Sequence, residues 1–382
     1  MTLVERSAAR SRSAAVCEPL RRRMTYVFTS GSSVVPMIAA ISYARVVKDP
    51  SGSQAGHFVR RTWCMRAAGA MLFIAVAGLA PVDVPSEARS SRYASEAAGN
   101  PKQGNFAGEI NIGGTRRLYL RCAGRGRPTV ILESGIHDSS DVWTLDDAKA
   151  PVVGRPAVFR GVARFTHVCM YDRPGTIRYT NPPALTTRSS PAQMPRTLQS
   201  MVADLHALLH RAGVPAPYLL VAHSYGGLIV RDYAQMYPRE AAGMVLVDAF
   251  GTNIKRLFGR LWLRYEHLLN FPGTPLENDS GWETADVDGA IKAINNAELP
   301  RMPLAVMSKT EPFATTPGAP KDLTRKLEQV WPKVQSALVE LEPFTPHILA
   351  TGSDHYIEIN DPDLTISVIK LILDRARHRR TG

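Results

Sequence analysis

From residue 106 onward the chain alternates between short apolar runs and longer segments whose apolar positions recur every three or four residues. The short runs, at 109–112, 117–122, 129–133, 166–171, 218–222, 244–248, 304–307 and 347–350, are rich in Val, Ile, Leu, Met, Tyr and Thr and predict eight strands. The first two read as an entry hairpin around Gly113 and Gly114. Helical periodicity falls between the later runs, at 194–212, 227–237, 321–341 and 363–377. Strand and helix in alternation predict an α/β protein built on a mostly parallel sheet flanked by helices. The rhythm breaks only at 249–302, where Phe258, Trp262, Leu263, Tyr265, Leu268, Leu269 and Phe271 sit among polar residues. An insertion of that length predicts a cap over the carboxyl edge of the sheet, the edge where α/β proteins bind ligands.

Residues 1–104 have a different texture, rich in Arg, Ser, Gly and Ala and without sustained periodicity, and predict a leader rather than a folded domain. Their one organised feature is Arg60, Arg61 and Arg66 followed by the uncharged run 67–82. As a helix that run spans roughly 24 Å, short of the ~30 Å hydrocarbon core, so it reads as the apolar part of a signal peptide within 66–88, with cleavage after Ala88. Its distance from the first residue leaves three readings: a true start at Met65, an uncleaved signal anchor with membrane association through 66–82, or a disordered leader on a cytosolic protein. Export to the cell exterior, periplasm or envelope, or membrane anchoring, is the expectation.

Charge then changes the picture. The net charge of +12 looks like that of a nucleic-acid binder, but residues 1–104 hold 14 Lys+Arg against 6 Asp+Glu, leaving 32 against 28 in the other 278 residues. The folded part, 105–382, is nearly balanced and predicts no nucleic-acid partner. No P-loop, dinucleotide-binding glycine pattern or Cys/His metal spacing is present, so no cofactor and no metal are expected. Of the four cysteines, Cys122 and Cys169 fall at predicted strand ends, as one disulfide or as two buried thiols.

The candidate chemistry sits where predicted strands end. The fifth runs into AHSYGG (222–227) and a helix begins almost at once, so Ser224 lies on a sharp turn whose neighbours two before and two after are small, Ala222 and Gly226. Such a serine meets the free N–H groups of a helix start, which favour developing negative charge. After the third strand comes ESGIHDSSDVW (133–143); Gly135 lets the Ile136 N–H face the cleft, where it joins the Tyr225 N–H as a two-donor oxyanion hole. The last strand exits through GSDH (352–355), placing His355 where it can take a proton from Ser224.

These segments, together with YDRPG (171–175), resemble those of the α/β-hydrolase superfamily over roughly residues 106–378, in particular its serine esterases and lipases. The resemblance implies an eight-stranded sheet with a cap after the sixth strand and a catalytic triad. It departs from the family pattern at Ala222, usually glycine, and at Ser134-Gly135, usually His-Gly. The triad acid follows one of two strands: Asp248 lies directly at a strand end, while Glu311 lies four residues beyond another, and Asp248 is preferred. Tyr171, Asp172 and Arg173 read as a brace, with Arg173 pairing to Glu133 or Asp172, and His223 as packed behind the elbow. His137, Trp143, Phe258, Trp262 and Tyr265 are the candidate substrate-binding residues, although the cap aromatics also suit packing. The expected activity is hydrolysis of carboxylic esters of a small or lipid-like molecule through an acyl-enzyme. A peptidase or amidase would use the same triad, with an amine anchor among Glu277, Asp279, Glu283, Asp286 and Asp288; a non-catalytic ligand-binding protein would dispense with turnover.

Overall fold

The computed structural model describes residue 101 and residues 104–145, 155–295, 298–314 and 318–379. The leader at 1–100, its apolar run 66–82 and the expected cleavage after Ala88 lie outside the described residues. Among the described residues no helix is long and apolar enough to cross a membrane.

Among the described residues, ten strands and nine α-helices follow one another. In order the strands are β1 (Phe106–Gly113), β2 (Arg116–Ala123), β3 (Thr129–Glu133), β4 (Val168–Tyr171), β5 (Ile177–Arg178), β6 (Ala184–Leu185), β7 (Tyr218–His223), β8 (Ala241–Val247), β9 (Leu304–Lys309) and β10 (His347–Ala350). The helices are α1 (Val158–Val162), α2 (Leu198–Ala212), α3 (Gly226–Met236), α4 (Ile254–Phe258), α5 (Trp262–Asn270), α6 (Val287–Asn295), α7 (Lys321–Val339), α8 (Ile357–Asn360) and α9 (Pro362–His378).

Eight strands form one sheet in the order β1-β2-β4-β3-β7-β8-β9-β10, the fold expected from the alternation. The β1–β2 hairpin and the β2–β4 pair are antiparallel, and every pair from β4 to β10 is parallel. β3, β4 and β7 are buried at every position, because parallel strands covered by helices on both faces need continuous apolar runs. Alternate residues serve opposite layers. Leu219 and Val221 pack with α1 and α9, while Leu220 and Ala222 join α2, α3 and the cap. Cys122 and Cys169 are direct cross-strand partners in β2 and β4 and are joined in a disulfide.

The strand expected at 166–171 begins at Val168, since Thr166 and His167 turn toward the preceding loop, where the Thr166 hydroxyl donates to the Pro128 carbonyl at 2.9 Å. The β5–β6 ribbon and the five-residue α1 were not predicted, because elements that short show no period. The insertion after β8, the sixth strand of the sheet, carries α4, α5 and α6 and packs into the same core as α2 and α3.

Candidate active site

Ser224 follows β7 directly and has φ 51, in the left-handed region. Backbone bonds hold it there: its N–H donates to the Val247 carbonyl at 3.2 Å, and its own carbonyl accepts from Phe250 and Gly227 at 2.8 and 3.0 Å. The two glycines that follow are there for space. A Cβ on Gly226 would stand 2.6 Å from the Ser134 carbonyl oxygen, and one on Gly227 would stand 2.7 Å from the Ala249 Cβ. Residue 222 does carry a Cβ, that of the fully buried Ala222.

His355, in the loop after β10, reaches both of its expected neighbours. Its Nε2 lies 2.9 Å from the Ser224 hydroxyl and its Nδ1 lies 2.6 Å from Asp248 Oδ2. Asp248 sits at the end of β8 with φ 41 and is fully buried. Its other oxygen accepts the Lys309 backbone N–H at 3.1 Å and the Trp331 indole N–H at 2.9 Å. With a carboxylate on Nδ1, the ring carries its proton there and turns its Nε2 lone pair to the serine. Phe313 and Trp331 flank the imidazole, with ring centroids 4.8 and 5.5 Å away.

Glu311, the other acid considered, is exposed and is not paired with His355. Its segment helps differently: the backbone N–H groups of Thr310 and Glu311 both donate to the Ser353 carbonyl at 3.0 Å, tying the loop after β9 to the loop that carries His355. Of the two acids, Asp248 is the one within reach of His355, because it leaves the strand beside that of Ser224 whereas Glu311 lies past a turn.

The segment 134–136 runs alongside the elbow. A Cβ on Gly135 would come within 3.2 Å of the Ser224 Cβ and 3.0 Å of His223 Nδ1, so any larger residue there would press on the elbow. Tyr225 is the N-cap of α3, so its N–H belongs to the unsatisfied first turn of that helix. Beneath this segment lies the brace. The five N–H groups of Arg173 meet Glu133 Oε1, the Ser134 carbonyl at 3.0 Å, the Gly135 carbonyl at 2.5 Å, and both oxygens of Glu283 at 2.7 and 3.0 Å. Tyr171 donates to the second oxygen of Glu133 at 2.5 Å. Asp172 is not the partner of Arg173; it pairs with Arg188 and accepts from Ser140 and Thr186. Glu283, in the cap, is the partner that the sequence did not reveal. Its Arg173 contacts hold its carboxyl below the ordinary value despite full burial.

Behind the elbow His223 is buried and points its Nε2 at the His355 carbonyl, 3.0 Å away. That bond makes Nε2 the donor and leaves Nδ1 as an acceptor, facing Glu358 Oε1 at 3.3 Å and Asp138 Oδ2 at 4.0 Å. Burial pushes the Glu358 carboxyl well above its ordinary value and the Asp138 carboxyl up to about 6. Burial and the neighbouring His355 push His223 far down, keeping it neutral. Neither His223 Nδ1 nor the Glu358 carboxyl has a hydrogen-bond partner among the described residues.

The candidate substrate-binding residues lie in the core or between the cap and the body. Trp143 is fully buried in the core cluster shared with α1 and α9, because the 3₁₀ turn Ser140–Thr144 folds it inward rather than toward Ser224. Phe258 ends α4 and Trp262 and Tyr265 lie on α5, beyond the turn at Gly259, and the three pack on one another, Phe258 and Tyr265 being stacked at 4.1 Å. All three belong to the main core, and Trp262 donates its indole N–H to Asp288 at 2.7 Å. They fasten the cap. His137 also joins cap to body: its backbone N–H donates to Glu283 at 2.6 Å, its Nε2 meets the Leu269 carbonyl at 2.9 Å, and its ring stacks on Trp282 at 4.2 Å. Burial pushes its pKa down.

Comparison with known proteins places this geometry in context. Residues 130–378, more than half of the chain, match the model of the alpha/beta hydrolase family. The chain is 26% identical over 242 residues to the uncharacterized protein YqjL of Bacillus subtilis, covering 62% of this chain and 79% of that one. It is 23% identical over 327 residues to a probable transporter, efuK, of Hormonema carpetanum, covering 72% of this chain but only 44% of that one. Among solved structures, a thermophilic esterase from Thermogutta terrifontis is 18% identical, with a TM-score of 0.44 over 71% of this chain and 98% of its own. The enol-lactonase from Burkholderia xenovorans LB400 is 15% identical, with a TM-score of 0.42 over 69% of this chain and 99% of its own. The extent of the family match, on a sheet of the order and sense described above, shows that this chain belongs to the alpha/beta hydrolase family.

Proposed function

We propose that this chain is a serine hydrolase of carboxylic esters working through an acyl-enzyme. The observation that carries the reading is that one imidazole, His355, lies within hydrogen-bond distance of both Ser224 and Asp248. In the first half-reaction Ser224 Oγ bonds to the ester carbonyl carbon as its proton passes to His355 Nε2, and the Ile136 and Tyr225 N–H groups meet the oxyanion. Collapse expels the alcohol, which takes the proton from His355. Water then attacks the acyl group, losing a proton to His355, and the acid leaves as Ser224 regains its hydrogen. Asp248 keeps the ring in the productive tautomer and supports the imidazolium.

The amide reading requires an anchor for a substrate amine, and the cap acids considered for it have structural partners. Glu283 holds Arg173, Asp288 takes Lys255 and Trp262, Glu277 accepts from Gly273 and Thr274, Asp279 from Gly281, and Asp286 from Gly289. That use of the acids favours an ester. The bonded Cys122–Cys169 pair favours an oxidising compartment as the place of action. Assays of p-nitrophenyl esters against aminoacyl anilides test the reading. Turnover of esters that disappears in Ser224→Ala is expected; turnover of anilides with esters inert overturns the ester reading, and undiminished turnover in the variant overturns the serine mechanism.

A further inference from the structure

The end of the sheet opposite Ser224 carries a second cluster of chemically able side chains. Tyr218 opens β7 opposite Ala241, and His223 closes it opposite Val247, so Glu240, just before β8, lies about 17 Å of strand away from the serine. His206 and His210 stand one turn apart on α2, on one face, with ring centroids 4.1 Å apart. Glu240 Oε1 lies 2.8 Å from His210 Nε2 and 3.5 Å from His206 Nε2, and one ligand atom from each of the three residues falls within 4.8 Å of the others.

The surroundings hold this trio in place. His206 is stacked on Tyr237 at 3.8 Å and 8° between planes, which fixes its ring. Tyr233, buried in the core, donates its hydroxyl to Glu240 Oε2 at 2.5 Å, leaving Oε1 to face the histidines. A tyrosine on the far carboxylate oxygen is the kind of outer contact that orients a metal ligand. Tetrahedral zinc with bonds of about 2.0–2.1 Å sets its ligands about 3.4 Å apart. The His206–Glu240 separation already meets that spacing, and the exposed His210 needs to draw back by about half an ångström. Two imidazoles and one carboxylate suit a borderline divalent ion rather than calcium or magnesium, which prefer all-oxygen shells.

We propose that His206, His210 and Glu240 bind a divalent first-row transition-metal ion, with water in the remaining position, and that the ion pins the end of α2 to the start of β8 without taking part in hydrolysis.

Untagged full-length protein, treated with EDTA and kept free of reductant so that Cys122 and Cys169 stay joined, is titrated with Zn²⁺ against a chromophoric chelator and melted with and without the ion. One Zn²⁺ per chain is expected, with a higher melting temperature when it is bound. Affinity falls by more than about tenfold in His210→Ala and in Glu240→Gln, and by about ten- to a hundredfold in Tyr233→Phe, which removes only the outer hydroxyl. Ester turnover stays the same in His210→Ala. Zinc binding no tighter in the wild type than in the His206→Ala/His210→Ala double variant overturns the proposal, as does a melting temperature that zinc raises equally in both.

Discussion

Asp248 and Glu358 are carboxylic acids of equal burial, both fully inaccessible and both close to the histidine pair His223 and His355, yet their surroundings are opposite. Asp248 is met by three N–H groups, from His355, Lys309 and Trp331. Neither side-chain oxygen of Glu358 has a hydrogen-bond donor among the described residues, and its carboxyl is pushed far up. At equal depth the two acids differ in the donors that meet them. The strand-end side of His355 offers its acid three donors, and the helix side, at α8, leaves the acid beside His223 with none from another side chain. Glu133 and Glu283 form a third case: both pair with the guanidinium of Arg173, yet burial still pushes the Glu133 carboxyl up while the Arg173 contacts hold that of Glu283 down.

Removing the charge where donors await it has the largest effect. Asp248→Asn is expected to lower kcat/KM by about 10⁴-fold with the fold intact, because the ring then loses the partner that fixes its tautomer. Steady-state ester kinetics check this, and a loss of tenfold or less would place the working acid elsewhere.

Removing the donor from buried acids comes next. Arg173→Met leaves Glu133 and Glu283 in the interior without a counter-charge and is expected to cost about 3–5 kcal/mol in urea unfolding. Adding Glu133→Gln and Glu283→Gln recovers much of that loss, which separates stranded charge from lost packing.

A smaller effect is expected at Glu358, and its sign depends on pH. The folded carboxyl titrates above its ordinary value of 4.5, so the fold holds this proton more tightly than the unfolded chain does. The resulting stabilisation is complete below about 4.5 and is lost as pH rises toward the folded value. Glu358→Gln lacks this titration, so its melting temperature gains on that of the wild type as pH is raised from 4.5 to 8. Parallel melting curves across that range would make Glu358 an ordinary carboxylate. The smallest effect is at Glu311, whose side chain is exposed: Glu311→Gln leaves kcat/KM within about twofold, as surface substitutions generally do.

Much of this arrangement was legible in the sequence, and the boundary has physical reasons. The parallel strands were readable because β3, β4 and β7 are buried on both faces and so are apolar throughout. Ser224, Asp248 and His355 were readable because each leaves a strand end directly or within a short loop. Contacts between the cap and the body were not. The spacing of Phe258, Trp262 and Tyr265 does not reveal the turn at Gly259 that parts them onto α4 and α5, nor that all three pack into the core. Glu283 looked like one acid among five on a polar insertion, and only the fold brings it to Arg173, 110 residues earlier. Trp143 follows a segment beside Ser224, yet one 3₁₀ turn sends it into the opposite layer. Glu358 gave no sign of its role, since a glutamate in a short helix reads as surface.

The central claim is that Ser224 is a nucleophile activated by His355. Reaction with an alkyl fluorophosphonate followed by intact mass and peptide mapping tests it most directly. One phosphonyl group per chain on the peptide containing Ser224, absent from Ser224→Ala and strongly slowed in His355→Ala, is the predicted result. A wild-type chain that takes no label, or a Ser224→Ala chain that labels as fast as the wild type, would contradict it.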